Sequence, residues 1–350
     1  LPVSEIAGAR PVRAEDAFDV TAVVTWLNDH GVAIESAPEV RQFVGGASNL
    51  TFSLRTATRD LILRRPPSGK KAAGAHDMGR EYRIQSALKE PFGLVPTMLA
   101  QCEDESVIGA PFYVMERIDG LIPRSELGFE LSLDDTRALC TNMLDVLVKL
   151  HQTDPGVLAD LGKGLGYVDR QVMGWTTRYR AARTPDAADF EAVMNWLIAS
   201  KPDDVDVRVI HNDFRFDNLV LSRDNPTEVI GVLDWEMATL GDPLMDLAGS
   251  LAYWVQADDD AQFASFRRQP THLPGMLTRA EVVDYYCSAM GYSVSPEQWR
   301  FYEVFGLFRL AVIAQQIYYR YFHKQTTNDV YAIFGPVAVM LEARCRKLMG

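Results

Sequence analysis

Two short apolar runs, each delivering oxygen-bearing side chains into a loop, constrain this chain more than anything else in it. Val207–Ile210 leads into His211-Asn212-Asp213-Phe214-Arg215-Phe216-Asp217-Asn218, and Val229–Leu233 leads into Asp234-Trp235-Glu236, with Asp234 21 residues after Asp213. Short β-branched runs bounded by acidic and turn residues read as buried strands. With Leu219–Leu221 directly after Asn218, the expected hairpin brings Asp234 back beside Asn218. Such an arrangement suits phosphoryl transfer. The transferring group is highly charged and needs a divalent metal held by hard oxygen ligands, here Asn218 and Asp234. The acceptor hydroxyl needs a separate carboxylate to orient it and take its proton, here Asp213. Taken singly, H-x-D also caps loops and a strand-ending Asp also makes turns. The joint spacing, with an apolar strand before each, selects the chemistry.

Around these loops the pattern changes along the chain. Val40–Val44, Leu50–Leu54, Asp60–Arg64 and Phe112–Glu116 read as strands, with one helix at Gly79–Leu88. Beyond Gly120 the chain turns helical. Ser132 with Asp135 opens a helix whose buried stripe is Leu133, Leu139, Met143, Leu144, Leu147 and Leu150. Asp242-Pro243 is an N-cap with proline at the first helical position, and Thr278 with Glu281 opens a helix that Gly291 closes. Ser295-Pro296-Glu297-Gln298 opens a long helix running to about His323. A strand-rich lobe followed by a helical lobe is α+β, with domains expected at 1–118 and 119–350.

The wording of the loops resembles a known family. H-x-D-x-x-x-x-N is the spacing of the kinase catalytic loop. Asp234-Trp235-Glu236 stands where protein kinases have D-F-G, and no A-P-E follows. The segment from roughly Arg41 to Leu251 is similar to the aminoglycoside phosphotransferase family, which implies a bilobal protein-kinase-like fold using ATP and magnesium. The likeness implies Asp213 as catalytic base and Asn218 and Asp234 as magnesium ligands. Arg215, two residues past the base, has two readings: neutralising the transferring phosphoryl, or an ordinary surface position. Leu61-Ile62-Leu63-Arg64 resembles the V-A-I-K strand, and Glu81 falls where the family pairs a carboxylate with its phosphate-binding Lys. That Lys is Arg64 here, a planar fork in place of a point charge. Gly45-Gly46-Ala47-Ser48-Asn49 fits a nucleotide-covering loop, with Gly46 and Ser48 against phosphates. Tyr113 to Gly120 resembles the interlobe hinge, where the backbone of Glu116 and Ile118 would bond adenine. Asp246, in Gly241–Ala248, is implied as a brace for the catalytic loop. The aromatic helix Trp299–Phe322 reads as core before it reads as an acceptor wall.

The acceptor is expected to be a small-molecule hydroxyl. Leu63-Arg64-Arg65-Pro66-Pro67, Arg80-Glu81-Tyr82 and Ser106–Glu116 are similar to the kinase-like part fused to some acyl-CoA dehydrogenases. This ranks a hydroxyacyl thioester or hydroxy acid above an aminoglycoside. A regulatory pseudokinase without turnover is the alternative, motivated by Arg64. A protein kinase and a metal-dependent hydrolase rank below both. The net charge of −12 disfavours nucleic acid as a partner. Four separated cysteines with no C-x-x-C pair fit a reducing cytoplasm. No apolar run reaches membrane-spanning length, the acidic start does not read as a signal peptide, and the missing initiator Met reads as a trimmed start.

Overall fold

A computed structural model describes residues 8–43, 49–67, 77–326 and 328–350. The chain divides into two compact units, Leu1–Asp119 with Ile230–Glu236, and Gly120–Val229 with Met237–Gly350. Ile230–Glu236, the segment that carries Asp234, therefore belongs with the strands of the first unit rather than with the remainder of the chain.

The first unit contains β1 (Ala9–Arg10), α1 (Val20–Asp29), β2 (Glu39–Phe43), β3 (Leu50–Arg55), β4 (Asp60–Arg65), α2 (Met78–Leu88), β5 (Met98–Cys102) and β6 (Phe112–Glu116). The strands form one antiparallel sheet in the order β1-β2-β3-β4-β6-β5. Period-two alternation sorts β4 between two faces. Leu61 and Leu63 pack with Phe52, Leu54 and Val114, and with Val23 and Leu27 of α1. Ile62 joins Met78, Tyr113 and Met115 on the other face, and Arg64 stands opposite Tyr113 in the β4–β6 register. Its neighbour Arg65 turns to the first face, 5.6 Å above the Phe52 ring, and donates to the Asp16 carbonyl at 2.8 Å. Only Arg64 of this pair faces α2.

The sequence pattern predicts one helix in this region, and the described residues hold two α-helices. Helix α1 starts at Asp19, whose carboxylate accepts the Ala22 amide at 3.0 Å. Its Val- and Thr-rich sequence has poor helix propensity, and burial of Val23 and Leu27 against the sheet decides the conformation.

The remaining elements are α3 (Leu133–Gln152), α4 (Tyr167–Ala181), α5 (Glu191–Ser200), β7 (Arg208–Ile210), β8 (Leu219–Leu221), β9 (Val229–Val232), β10 (Thr239–Gly241), α6 (Pro243–Leu251), α7 (Ala261–Ala264), α8 (Arg279–Met290), α9 (Pro296–Phe322) and α10 (Phe334–Met349). The strand-rich and helical units make the chain α+β, as expected. The capping signals act as read. Ser132 accepts the Asp135 amide at 3.0 Å, Thr278 and Glu281 close a capping box, Ser295 and Gln298 close another, and Gly291 ends α8 at φ 71°. Leu133 corrects the expected stripe of α3: as the first helical residue it is 63% exposed, and the buried stripe begins at Thr136 and Leu139. In α9, Phe301, Val304, Phe305, Phe308 and Val312 are buried, so this part of the aromatic helix is core. No helix among the described residues is long and apolar enough to cross a membrane.

Candidate active site

In the second unit the loop between β7 and β8 is built around one buried carboxylate. Asp246, on the first turn of α6, accepts the backbone amides of His211 at 2.8 Å and Asn212 at 2.7 Å. His151 Nε2 lies 3.0 Å from the same carboxylate, and His151 Nδ1 lies 2.6 Å from the Tyr286 hydroxyl. An ionised Asp246 needs a donor at that point, and a proton on His151 Nε2 supplies it. Burial alone would raise the Asp246 pKa. The His151 hydrogen bond and the charges and amides around it outweigh burial and lower it.

That anchoring forces Asn212 into the left-handed region at φ 65°, where an asparagine is tolerated best among non-glycine residues. Its side chain is fixed from both ends: Tyr167 donates to Oδ1 at 2.9 Å, and Nδ2 donates to the Met237 carbonyl at 3.0 Å. Its carbonyl accepts from buried Arg309 at 2.6 Å. Asp213 then follows on a rigid support, its amide donating to His211 Nδ1 at 3.2 Å.

Asp213, Arg215 and Asn218 come together. The Asn218 amide nitrogen donates to the Asp213 carbonyl at 2.8 Å and to Asp213 Oδ2 at 3.0 Å. With its nitrogen so engaged, Asn218 presents its oxygen for a ligand, the donor a hard cation requires. Arg215 Nη2 lies 3.2 Å from Asp213 Oδ2 and Nε lies 3.1 Å from Asp217, with the guanidinium 4.5 Å above the Tyr253 ring. Arg215 is thus an ion-paired group beside Asp213, not a free surface position.

In the first unit a second cluster forms around Arg64. Its Nη1 lies 3.5 Å from Glu81 Oε2 on α2, and its Nη2 lies 3.1 Å from Asp234 Oδ1. The Tyr113 hydroxyl donates to the Glu81 carboxylate. Burial opposes the Arg64 charge, but Tyr113, Glu81 and Asp234 around it raise its pKa and keep the guanidinium protonated. Burial also raises the Glu81 pKa, against the pull of Arg64 and the Tyr113 bond. Asp234 sits in the left-handed region at φ 67°, just beyond β9.

Two residues of this cluster were not assigned roles from sequence. Glu236 is one: carboxylate oxygens of Glu81, Asp234 and Glu236 all lie within 4.8 Å of one another, a spacing one divalent cation can bridge. Asn49 is the other, donating to Glu81 at 3.2 Å and Glu236 at 3.4 Å. Both stood inside quoted motifs, but nothing in a linear pattern says that they meet. Gly46 and Ser48 lie outside the described residues. In the hinge segment the Glu116 amide is committed to the Thr97 carbonyl at 2.9 Å. Ile118 packs on Gly231 so closely that a Cβ there would come 2.4 Å from Ile118 Cδ1.

The model of the phosphotransferase enzyme family matches residues 39–282, a span that contains Arg64, Glu81, Asp213, Asn218 and Asp234. The chain belongs to that family. Acyl-CoA dehydrogenase family member 10 of Mus musculus is 38% identical over 320 residues, 90% of this chain but 30% of that protein. The chain therefore spans under a third of that curated relative. A Ralstonia eutropha JMP134 protein assigned as an aminoglycoside phosphotransferase superposes with a TM-score of 0.78 at 31% identity, over 95% of this chain and 99% of its own. A thermostable mutant of the aminoglycoside phosphotransferase APH(4)-Ia, in ternary complex with AMP-PNP and hygromycin B, shares the fold at TM-score 0.56 and 13% identity, over 94% of this chain and 97% of its own. The fold is protein-kinase-like, as the loop motifs implied.

Proposed function

We propose that this phosphotransferase uses magnesium-ATP to phosphorylate the hydroxyl of a small hydroxy acid or its hydroxyacyl thioester. The observation that carries the reading is Asp213. Its carboxylate is fixed by Asn218 and Arg215 on a loop anchored by Asp246, so it is positioned before any substrate arrives. In this reading Asp213 orients the acceptor hydroxyl and takes its proton, and Arg215 neutralises charge developing near it. Asn218 Oδ1 and Asp234 are the magnesium ligands in this reading, and Glu236, whose carboxylate lies within 4.8 Å of those of Asp234 and Glu81, adds a further oxygen donor of the kind a hard cation takes. Arg64, held by Glu81, serves the phosphates, and the backbone of Glu116 and Ile118, with Gly46 and Ser48, serves the rest of the nucleotide. Bound magnesium-ATP supplies the electrophilic phosphorus and ADP as leaving group.

The acyl acceptor is favoured by the 38% identity to a protein named for acyl-CoA chemistry. An aminoglycoside is the second reading, since a neighbour of the same fold was crystallised with hygromycin B. A cytoplasmic site of action accords with four buried cysteines that are all free thiols.

Magnesium- and ATP-dependent ADP release on a panel of hydroxy acids, hydroxyacyl thioesters, aminoglycosides and choline tests the proposal. Stimulation by the acyl acceptors supports it. Stimulation by aminoglycosides alone replaces the acceptor. Tight magnesium-ATP binding with no stimulation by any of them favours a binding module without turnover, with Arg64 the departure to examine first.

A further inference from the structure

Helix α4 carries three arginines and a fourth follows just past its end, and three of the four are committed. Arg170 donates to the Leu165 carbonyl at 2.5 Å and the Gly164 carbonyl at 2.7 Å. Arg180 pairs with Glu191 at 2.7 Å, and Arg183, just past the helix, lies 3.8 Å from the same carboxylate. Arg178 differs. It is exposed, and among the described residues its guanidinium meets no carboxylate and no carbonyl, in a chain where 47 acidic residues outnumber 35 basic ones. What holds it is a ring: Arg178 Cζ lies 4.5 Å from the centroid of Trp175.

Trp175 is itself immobilised. It is nearly buried, and its indole N–H donates to Gln171 Oε1 at 3.0 Å. Its ring also lies 5.5 Å from Arg309, the guanidinium that donates to the carbonyl of Asn212, next to Asp213. Gly249 makes room for Arg309, since a Cβ at that position would come within 2.7 Å of Nη1. One rigid stack therefore runs from the backbone of the catalytic loop through Arg309 and Trp175 to the outward-facing Arg178. A guanidinium lying on a fixed aromatic face has already lost most of its rotamer freedom, and it presents a planar fork matched to a carboxylate or phosphate. Holding such a group without an internal acidic partner makes sense if an external anion completes it.

We propose that Arg178 binds the anionic group of the acceptor alcohol, its carboxylate when the acceptor is a free hydroxy acid or a phosphate when it is a coenzyme A thioester. This deepens the acyl-acceptor reading above and rests on it. It also disfavours a polycationic acceptor, which the exposed guanidinium would repel.

The test is equilibrium binding and steady-state kinetics on a panel of short hydroxy acids, their uncharged methyl esters and their coenzyme A thioesters. Wild type is compared with Arg178→Ala, Arg178→Lys and, as a control on the same helix, Arg180→Ala. The expected result is that Arg178→Ala cuts the preference for the acid or thioester over the methyl ester by about 10- to 100-fold, the worth of one charge-assisted hydrogen bond. The loss appears in KM for the acceptor and not in KM for ATP, Arg178→Lys recovers part of it, and Arg180→Ala keeps the wild-type preference. Loss with the free acid assigns the guanidinium to the carboxylate, and loss with the thioester alone assigns it to the coenzyme phosphates. A wild type that binds charged and uncharged alcohols alike, or an Arg178→Ala variant with unchanged preference, overturns the proposal. Anion binding through Arg178 without phosphoryl transfer would instead sustain the site and refute the kinase reading.

Discussion

Arg64 Nη2 lies 3.1 Å from Asp234 Oδ1 while Nη1 of the same guanidinium lies 3.5 Å from Glu81 Oε2. One arginine thus holds both a buried helix carboxylate and the acid proposed to bind metal. A lysine, with a single ammonium, would not span both carboxylates in the same way. The departure from the family's lysine is therefore integrated into the surrounding structure, through Glu81, Asp234 and the Tyr113 bond to Glu81.

Removing that cation is expected to be costly for the fold. Arg64→Ala leaves Glu81 buried beside Tyr113 with no positive partner, and loss of one member of a buried pair typically costs about 3–5 kcal/mol. Urea denaturation of Arg64→Ala, Glu81→Gln and the double variant checks this. A double variant more stable than Arg64→Ala alone shows that the unpaired charge, and not lost packing, is the cause.

Asp246 is expected to carry the catalytic loop. Asp246→Asn keeps the shape but turns an NH2 group toward backbone N–H groups that need an acceptor. The cost is on the order of 2–4 kcal/mol, for a buried polar conflict in place of charge-assisted bonds. Because His211 and Asn212 lose their anchor, kcat should fall as well. Denaturation and kcat measured on the same preparation check both parts, and a stable variant with normal kcat contradicts the bracing role.

A pH effect follows from Asp242. Its carboxylate caps α6, accepting the Met245 amide at 3.0 Å and the Val205 amide at 2.7 Å, yet complete burial raises its pKa to about 7. Between about pH 4 and pH 7 the native chain keeps a proton there that the unfolded chain has released. Its contribution to stability is therefore full below about pH 4, declines as pH rises to 7, and is level beyond. Asp246 acts with the opposite sign, since its lowered pKa adds stability that is lost as pH falls on the acid side. The Tm of wild type should fall relative to Asp242→Asn between pH 4 and 7. Parallel profiles for the two proteins would remove Asp242 as the cause.

Much of this was legible in the sequence because it is local. Capping pairs such as Thr278 with Glu281 act within a single turn, and the spacing of Asp213 and Asn218 already brings them into hydrogen-bond range across one short loop. Alternation along β4 was enough to send Arg64, and not Arg65, toward α2. What the sequence hid depends on long-range packing. Asn49 meets Glu236 across 187 positions, and Arg309 reaches the Asn212 carbonyl across 97. No periodicity reports such meetings. Helix α1 was obscured for a related reason: its valines favour strands intrinsically, and only the sheet beneath Val23 and Leu27 makes them helical. Leu133 misled in the other direction, because a leucine at the start of a helix lies before its buried stripe begins.

The most direct test of the central claim sets Asp213→Ala beside Asp234→Ala, measuring phosphoryl transfer and magnesium-dependent nucleotide binding for each. Asp213→Ala is expected to lose roughly two to four orders of magnitude in transfer rate, the usual contribution of a positioned general base, while binding magnesium-ATP as wild type does. Asp234→Ala is expected to lose the magnesium dependence of nucleotide binding itself. An Asp213→Ala protein with full activity, or an Asp234→Ala protein that still binds ATP in a magnesium-dependent way, would contradict the assignment of base and metal ligand.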